Sequence, residues 1–440
     1  MMRFLYGILW FTLEYVLRVF YPRRKLINSP KEFYGRTIYV SNHAASFMDP
    51  LVIASFRRPI VFFMTRSDIF TPLMKPILWA SHMLPIYRQQ DGEDTKGKNE
   101  EVFNTCTKIL NHGRNLLIFG EGFTDDVFIR RLKPVKKGAV RIGFITLEKI
   151  NWKKNVYLAA VGCNYSDPNE MRSDLLISTS DKICLNEYRE EYLANPNKVI
   201  SEVTKRVEEL LKAQLTHIED AKLAPFHENV MKITRKGMNA LCIDKSILLE
   251  ERWRYSQNLA HWFNANVNEE NTSLMELKNR LELYFKSLKT MKIDEPSLFD
   301  MVTKNGIRSK ELAYLIVLFP FMILGFLHCA LPYFLIKRFV EKKFRRRVFW
   351  SSVKLLLGMI IIGLVNIPFI FLFYHFVFPS YWLGFLYYLL IGAFGLAAYM
   401  WFRYFNRFQQ KGKLKKMDLK PIWEERREIL VQIQTLISVA

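Results

Sequence analysis

RTIYVSNHAASFMDP, residues 36–50, is the stretch that decides the fold. Residues 36–41 are rich in β-branched and aromatic side chains and read as a strand. Pro50 suits the first position of a helix, which makes Asp49 the expected N-cap. A strand passing through a short loop into a helix is half of a βαβ unit. The same alternation continues along the chain. Short β-rich runs lie at 59–65 (PIVFFMT), 83–88 (MLPIYR), 115–122 (NLLIFGEG) and 156–165 (VYLAAVGCNY). Helical stretches are expected between them, near 50–56, 70–81, 98–112 and 137–150. That order predicts an α/β domain over residues 31–195, with a mainly parallel sheet flanked by helices. Ligand sites in such folds gather in loops at strand ends, and His43 lies in one of these loops.

On either side the composition changes. Residues 1–21, MMRFLYGILWFTLEYVLRVFY, are apolar but carry Arg3, Glu14 and Arg18. A clean span tolerates fewer charges, so residues 1–30 are expected to hold a membrane-associated interfacial helix. Residues 196–305 are polar and amphipathic, and read as a helical subdomain. Residues 306–416 form a membrane region. Its runs at 355–377 and 381–402 are each long enough to span, since about 20 residues cross the hydrocarbon. A third run, 312–336, is interrupted by Pro320 and Pro332. Basic residues follow 312–336, in KRFVEKKFRRR at 337–347, and follow 381–402, at Arg403, Arg407, Lys411, Lys413, Lys415 and Lys416. The positive-inside rule puts both basic segments in the cytoplasm, with 355–402 as a hairpin between them. The α/β domain is then on the cytoplasmic face only if 312–336 re-enters rather than spans, and its two prolines favour a broken hairpin. Residues 417–440 read as a cytoplasmic tail helix.

Composition narrows the function. Half of the 440 residues are hydrophobic and 35 are Phe, which excludes a disordered or fibrous chain. Sixty-four basic against 42 acidic residues give a net charge of +22. The basic residues cluster beside apolar runs rather than in an aromatic-studded groove. The expected partners are therefore anionic membrane lipids and not nucleic acid. The five cysteines are scattered, with no CxxC spacing and no histidine cluster, so neither a disulfide framework nor a metal site is expected.

The chemistry centres on His43 and Asp49. A carboxylate on one imidazole nitrogen fixes the tautomer and leaves the other nitrogen to deprotonate a hydroxyl. Read alone, the block is also open to a plain N-cap Asp beside an unrelated surface His. Two further blocks accompany it: Leu84-Pro85-Ile86-Tyr87-Arg88, an apolar run ending in Arg, and Phe119-Gly120-Glu121-Gly122-Phe123-Thr124. Together with Asn42, His43 and Asp49, in this order and at these separations, they resemble the glycerolipid acyltransferase superfamily over about residues 35–190. The family's first block has Asn-His followed by Asp, and its third has Phe-Pro-Glu-Gly-Thr. Here Gly120 replaces the proline and Phe123 is inserted. Five residues separate His43 from Asp49 where four are common.

The resemblance implies an acyl transfer without a covalent acyl-enzyme, metal or cofactor. His43 takes the proton of an acceptor hydroxyl and Asp49 orients His43. The donor is acyl-CoA or acyl carrier protein. The acceptor is a phosphorylated glycerol or a lyso-lipid, and the longer spacing favours glycerol-3-phosphate. Arg88 is the candidate for the acceptor phosphate, with Asn42, Glu121, Gly122, Lys133 and Lys137 as further substrate contacts. Lysophosphatidate or another lyso-lipid is the alternative acceptor. A non-enzymatic membrane scaffold built on the C-terminal helices is the alternative function, though it leaves the intact His43–Asp49 pair without a purpose. A serine hydrolase is disfavoured because no Gly-x-Ser-x-Gly elbow surrounds Ser46.

Overall fold

The computed structural model describes residues 2–28, 35–56, 61–72, 75–87, 95–267, 271–304 and 308–439. The chain forms two compact units: Met1–His227 with Lys236–Asn266, and Glu228–Arg235 with Val267–Ala440. The stretch 196–305, expected as one subdomain, is thus shared between them.

In the first unit the described residues form a seven-stranded sheet. Its strands are β1 (Arg23–Ile27), β2 (Thr37–Ser41), β3 (Val61–Arg66), β4 (Met83–Ile86), β5 (Asn115–Phe119), β6 (Tyr157–Tyr165) and β7 (Asp174–Cys184). They lie in the order β1-β7-β6-β2-β5-β3-β4, and every neighbouring pair is parallel except β6 with β7. The mainly parallel α/β sheet agrees with the pattern read above, and β2 to β6 fall where the β-rich runs predicted them. β1 and β7 were not foreseen. β1 is RRKLI, whose basic residues resemble a membrane flank; in the fold it is an edge strand of alternating exposure, a place where Lys and Arg are common. Fully buried Asp174 fixes this edge by pairing with Arg23 of β1 and with buried Arg252, each at 2.5 Å.

The topology creates the site. β2 leads through the helix Met48–Phe56 to β3, on one side of it. β5 leads through the helix Gly138–Lys149 to β6, on the other side. The carboxyl ends of β2 and β5 therefore flank a crevice at a switch point, where open α/β sheets bind ligands. Their register sets Ser41 beside Phe119, so the residues just beyond, His43 and Glu121, emerge together. A core cluster runs beneath, from Ile38, Leu116 and Leu158 of the sheet to Val140, Phe144 and Leu147 of the helix Gly138–Lys149 and to Val203 and Leu211 of the helix Pro196–Ala213.

In the second unit three stretches among the described residues are long and apolar enough to cross a membrane: Ser309–Lys343, Arg347–Phe376 and Tyr381–Leu414. The expected break at 312–336 does not occur. Pro320 and Pro332 lie inside one continuous helix of 35 residues, Ser309–Lys343. A proline inside a helix removes one hydrogen bond and bends the axis, and this helix continues through both. This helix and Tyr381–Leu414 run antiparallel. Glu311 meets Lys411 at 2.9 Å, the indole of Trp401 donates to Leu315 O, and Cys329 packs on Gly395. Gly325 permits the close approach: a Cβ there would stand 2.0 Å from Phe394 O.

The middle run behaves differently. Its first helix, Trp350–Asn366, starts at the Lys343 end, where Lys354 meets Glu341, and reaches the level of His328, which bonds Asn366. Its second, Pro368–Phe376, lies along the start of Tyr381–Leu414, with Ile370 on Gly384 and Tyr374 stacked on Tyr381. The basic segments 337–347 and 403–416 consequently occupy opposite ends of the antiparallel pair, against the expectation that both face one side. Helix direction is set by packing partners that hydropathy does not record. The tail forms the helix Lys420–Leu436, held by buried Arg426 on Glu295 at 2.9 Å and by Arg280 on Glu425 at 2.7 Å.

Candidate active site

His43 and Asp49 meet. Nδ1 of His43 lies 2.9 Å from Asp49 Oδ2, and the Ala45 N–H donates to the same oxygen at 2.9 Å. The loop closes through Ser46, which adopts a left-handed φ of 53°. Asp49 is not the N-cap expected from Pro50. The helix begins at Met48, so Asp49 sits inside its first turn, and its side chain tilts back toward the N-terminus and over the loop. An ionised carboxylate only accepts hydrogen bonds, so Nδ1 of His43 carries the hydrogen and Nε2 presents its lone pair. The imidazole stacks on Phe119 with centroids 4.2 Å apart, and its side chain keeps 20% exposure while Asp49 is fully buried.

Glu121 extends from the end of the neighbouring strand. Its Oε1 accepts from the His43 backbone N–H at 2.8 Å, tying the β2 loop to the β5 loop. Burial pushes its carboxyl up to about 7, against the opposing pull of the His43 N–H and Lys133. Between the ordinary value of 4.5 and about 7, the folded chain holds a proton that the unfolded chain has released. The stability contributed by this group therefore falls as pH rises through that window. Glu121→Gln keeps the acceptor for the His43 N–H and removes the titration. Thermal melts of parent and variant between pH 4.5 and 7 are expected to diverge, the variant gaining relative stability as pH rises; parallel curves would refute the assignment.

The other expected contacts are distributed as follows. Gly122 has φ +76°, which only glycine adopts without strain, and the chain of Lys136 lies over the space where a Cβ would stand. Lys133 pairs with Asp125 at 2.8 Å and covers the ring of Phe123 at 3.9 Å. Asn42 turns to the backbone of β6: its amide donates to Cys163 O at 3.2 Å and accepts from Cys163 N at 2.8 Å. It anchors the loop to β6. Lys137 donates to Ser201 on the helix Pro196–Ala213 at 2.6 Å. Arg88 lies outside the described residues.

Three further participants were not singled out as site residues in the sequence. Tyr165 donates its hydroxyl to Asp49 Oδ1 at 2.8 Å from 116 positions away. Phe119 supplies the surface on which His43 rests. Arg130 is buried and donates to Tyr165 O at 2.7 Å, to Ser166 O at 3.0 Å and to Met238 O.

A His–Asp contact and a buried Glu thus meet at the switch point of a mainly parallel α/β sheet. In comparison with known proteins, residues 23–148 match the family described as Acyltransferase. That match supports the resemblance of the blocks around His43, Arg88 and Glu121 to the glycerolipid acyltransferase superfamily. Among solved structures it is similar to the 1-acyl-sn-glycerophosphate (LPA) acyltransferase PlsC from Thermotoga maritima. Identity is 17% and the TM-score 0.32, over 48% of this chain and 79% of that one. No curated protein matches the chain.

Proposed function

We propose that the protein transfers a fatty acyl chain from a thioester donor, acyl-CoA or acyl carrier protein, to a hydroxyl of glycerol-3-phosphate. The observation that carries this reading is the His43–Asp49 contact at 2.9 Å beside a buried Glu121. Nε2 of His43 removes the hydroxyl proton as the oxygen attacks the thioester carbonyl. The tetrahedral intermediate collapses with cleavage of the C–S bond, and the imidazolium returns the proton to the departing thiolate. Asp49 stabilises the imidazolium formed on the way. Lys133 offers charge for the acceptor phosphate, as does Arg88 by the character of its block. The five-residue spacing between His43 and Asp49 supports glycerol-3-phosphate over a lyso-lipid.

The test is acyl transfer by purified, detergent-solubilised protein from labelled acyl-CoA or acyl carrier protein, offered glycerol-3-phosphate or lysophosphatidate. Turnover of glycerol-3-phosphate is the expected result. Turnover of lysophosphatidate alone would keep the chemistry and replace the acceptor. Turnover of neither with either donor would refute the reading.

The membrane reading follows the helix directions. The antiparallel pair Ser309–Lys343 and Tyr381–Leu414 crosses the bilayer, being about 50 Å long at 1.5 Å per residue. Arg347–Phe376 enters from the Lys343 end and returns to it. The Ser309 and Leu414 ends then share one side, which we propose is cytoplasmic and carries the basic residues from Arg403 to Lys416, with the seven basic residues of 337–347 at the opposite end. A Lys415→Cys variant should react with an impermeant maleimide only from the cytoplasmic side; labelling only from outside would invert the orientation.

A further inference from the structure

The catalytic carboxylate is held in an unusual way. Asp49 is fully buried, and among the described residues its oxygens meet three hydrogen-bond donors and no lysine or arginine. Oδ2 takes the Ala45 N–H and His43 Nδ1, both from its own loop. Oδ1 takes only the Tyr165 hydroxyl. A buried anion depends on its hydrogen-bond donors for solvation, and each one carries a larger share than a hydrogen bond at a surface.

Tyr165 is itself rigidly placed. It ends β6 and is fully buried against Tyr21, with ring centroids 5.8 Å apart, and against Phe128 at 6.4 Å. The guanidinium of Arg130 clamps its carbonyl and the next one. Burial and the charge of Asp49 push the phenol well above its usual range, so it remains a donor wherever the enzyme works. Among the described residues the other ionisable groups facing Asp49 are Tyr21, Glu121 and Cys163; Tyr21 donates to Pro168 O, and Glu121 accepts the His43 backbone N–H.

We infer that Tyr165 is a positioning residue for acyl transfer: its hydroxyl locks the rotamer of Asp49 and disperses the carboxylate charge, which sets how strongly Asp49 holds the His43 proton. This rests on the reading of His43 as the general base. Without the hydroxyl, Oδ1 is buried with no donor and the carboxylate becomes a stronger base. It then binds the protonated imidazole more tightly or takes up a proton itself. Both consequences move the acid limb of the kcat–pH profile to higher pH, a shift that loss of packing alone does not cause.

The experiment compares parent, Tyr165→Phe and His43→Ala as full-length, solubilised protein. In Tyr165→Phe, kcat is expected to fall about 10- to 100-fold. KM for both substrates should stay near the parental values, and the acid limb should move to higher pH. A ring-fluorinated tyrosine at position 165 donates more strongly and should move the limb to lower pH; this variant decides the matter if Tyr165→Phe fails to fold. A parental rate and profile in Tyr165→Phe, or a lower rate with the limb unmoved in both variants, overturns the inference while an inactive His43→Ala leaves the general base standing. A fully active His43→Ala overturns both.

Discussion

His43→Ala is expected to lower kcat for acyl transfer by about 10²- to 10⁴-fold, the usual contribution of a positioned general base. Among the described residues nothing nearby is placed to substitute. The Oε1 of Glu121 is engaged by the His43 backbone N–H, which the substitution leaves intact, and Asp49 is fully buried behind the imidazole. The fold should survive. The His43 side chain is partly exposed and its main contact is the stack on Phe119, so truncation opens a gap at the surface of the crevice rather than in the core. The measurement is kcat together with the melting temperature and the KM of the donor. A collapse of kcat with the other two unchanged is the expected pattern. A variant retaining more than about a tenth of the parental rate would refute the general-base role, since such a loss is smaller than any the mechanism allows.

Asp49→Asn is expected to cost nearly as much, for a reason that is visible in the donor count. Three donors converge on the two oxygens of Asp49: the Ala45 N–H, His43 Nδ1 and the Tyr165 hydroxyl. An amide has one oxygen and brings two hydrogens of its own. If its oxygen faces Tyr165, its NH₂ faces His43 and Ala45, and the imidazole can answer only by presenting a bare Nδ1. The proton then moves to Nε2, the nitrogen that must accept from the substrate. The same exchange in serine proteases costs about 10⁴ through the wrong tautomer. Because His43 and Asp49 act as one device, the double variant should be hardly worse than either single one. Additive losses in the double variant would show that the two residues work independently.

Much of this arrangement was legible beforehand. Strands β2 to β6 are short runs of β-branched and aromatic residues bounded by turns, and such runs form strands almost wherever they are buried. β7, DLLISTSDKIC, was not legible, because Ser, Thr, Asp and Lys interrupt its apolar residues, although its first seven positions are buried in the sheet. The prolines of Ser309–Lys343 misled for a different reason. The rule that proline ends a helix is strongest where water can satisfy the freed carbonyl, and this helix is long and apolar enough to cross a membrane.

The sequence by itself determined the α/β class, the crevice loop after β2 and the residue types of the dyad, because strand periodicity and a His-x5-Asp block are local properties. Only the tertiary structure decided how they are used. It brought Glu121 to the His43 N–H because β2 and β5 are neighbours in the sheet, 78 residues apart in the chain. It turned Asn42 to the backbone of β6, and it delivered the Tyr165 hydroxyl to Asp49. Each of these contacts satisfies a buried polar group, and what satisfies such a group is whatever donor or acceptor the packing places within about 3 Å of it.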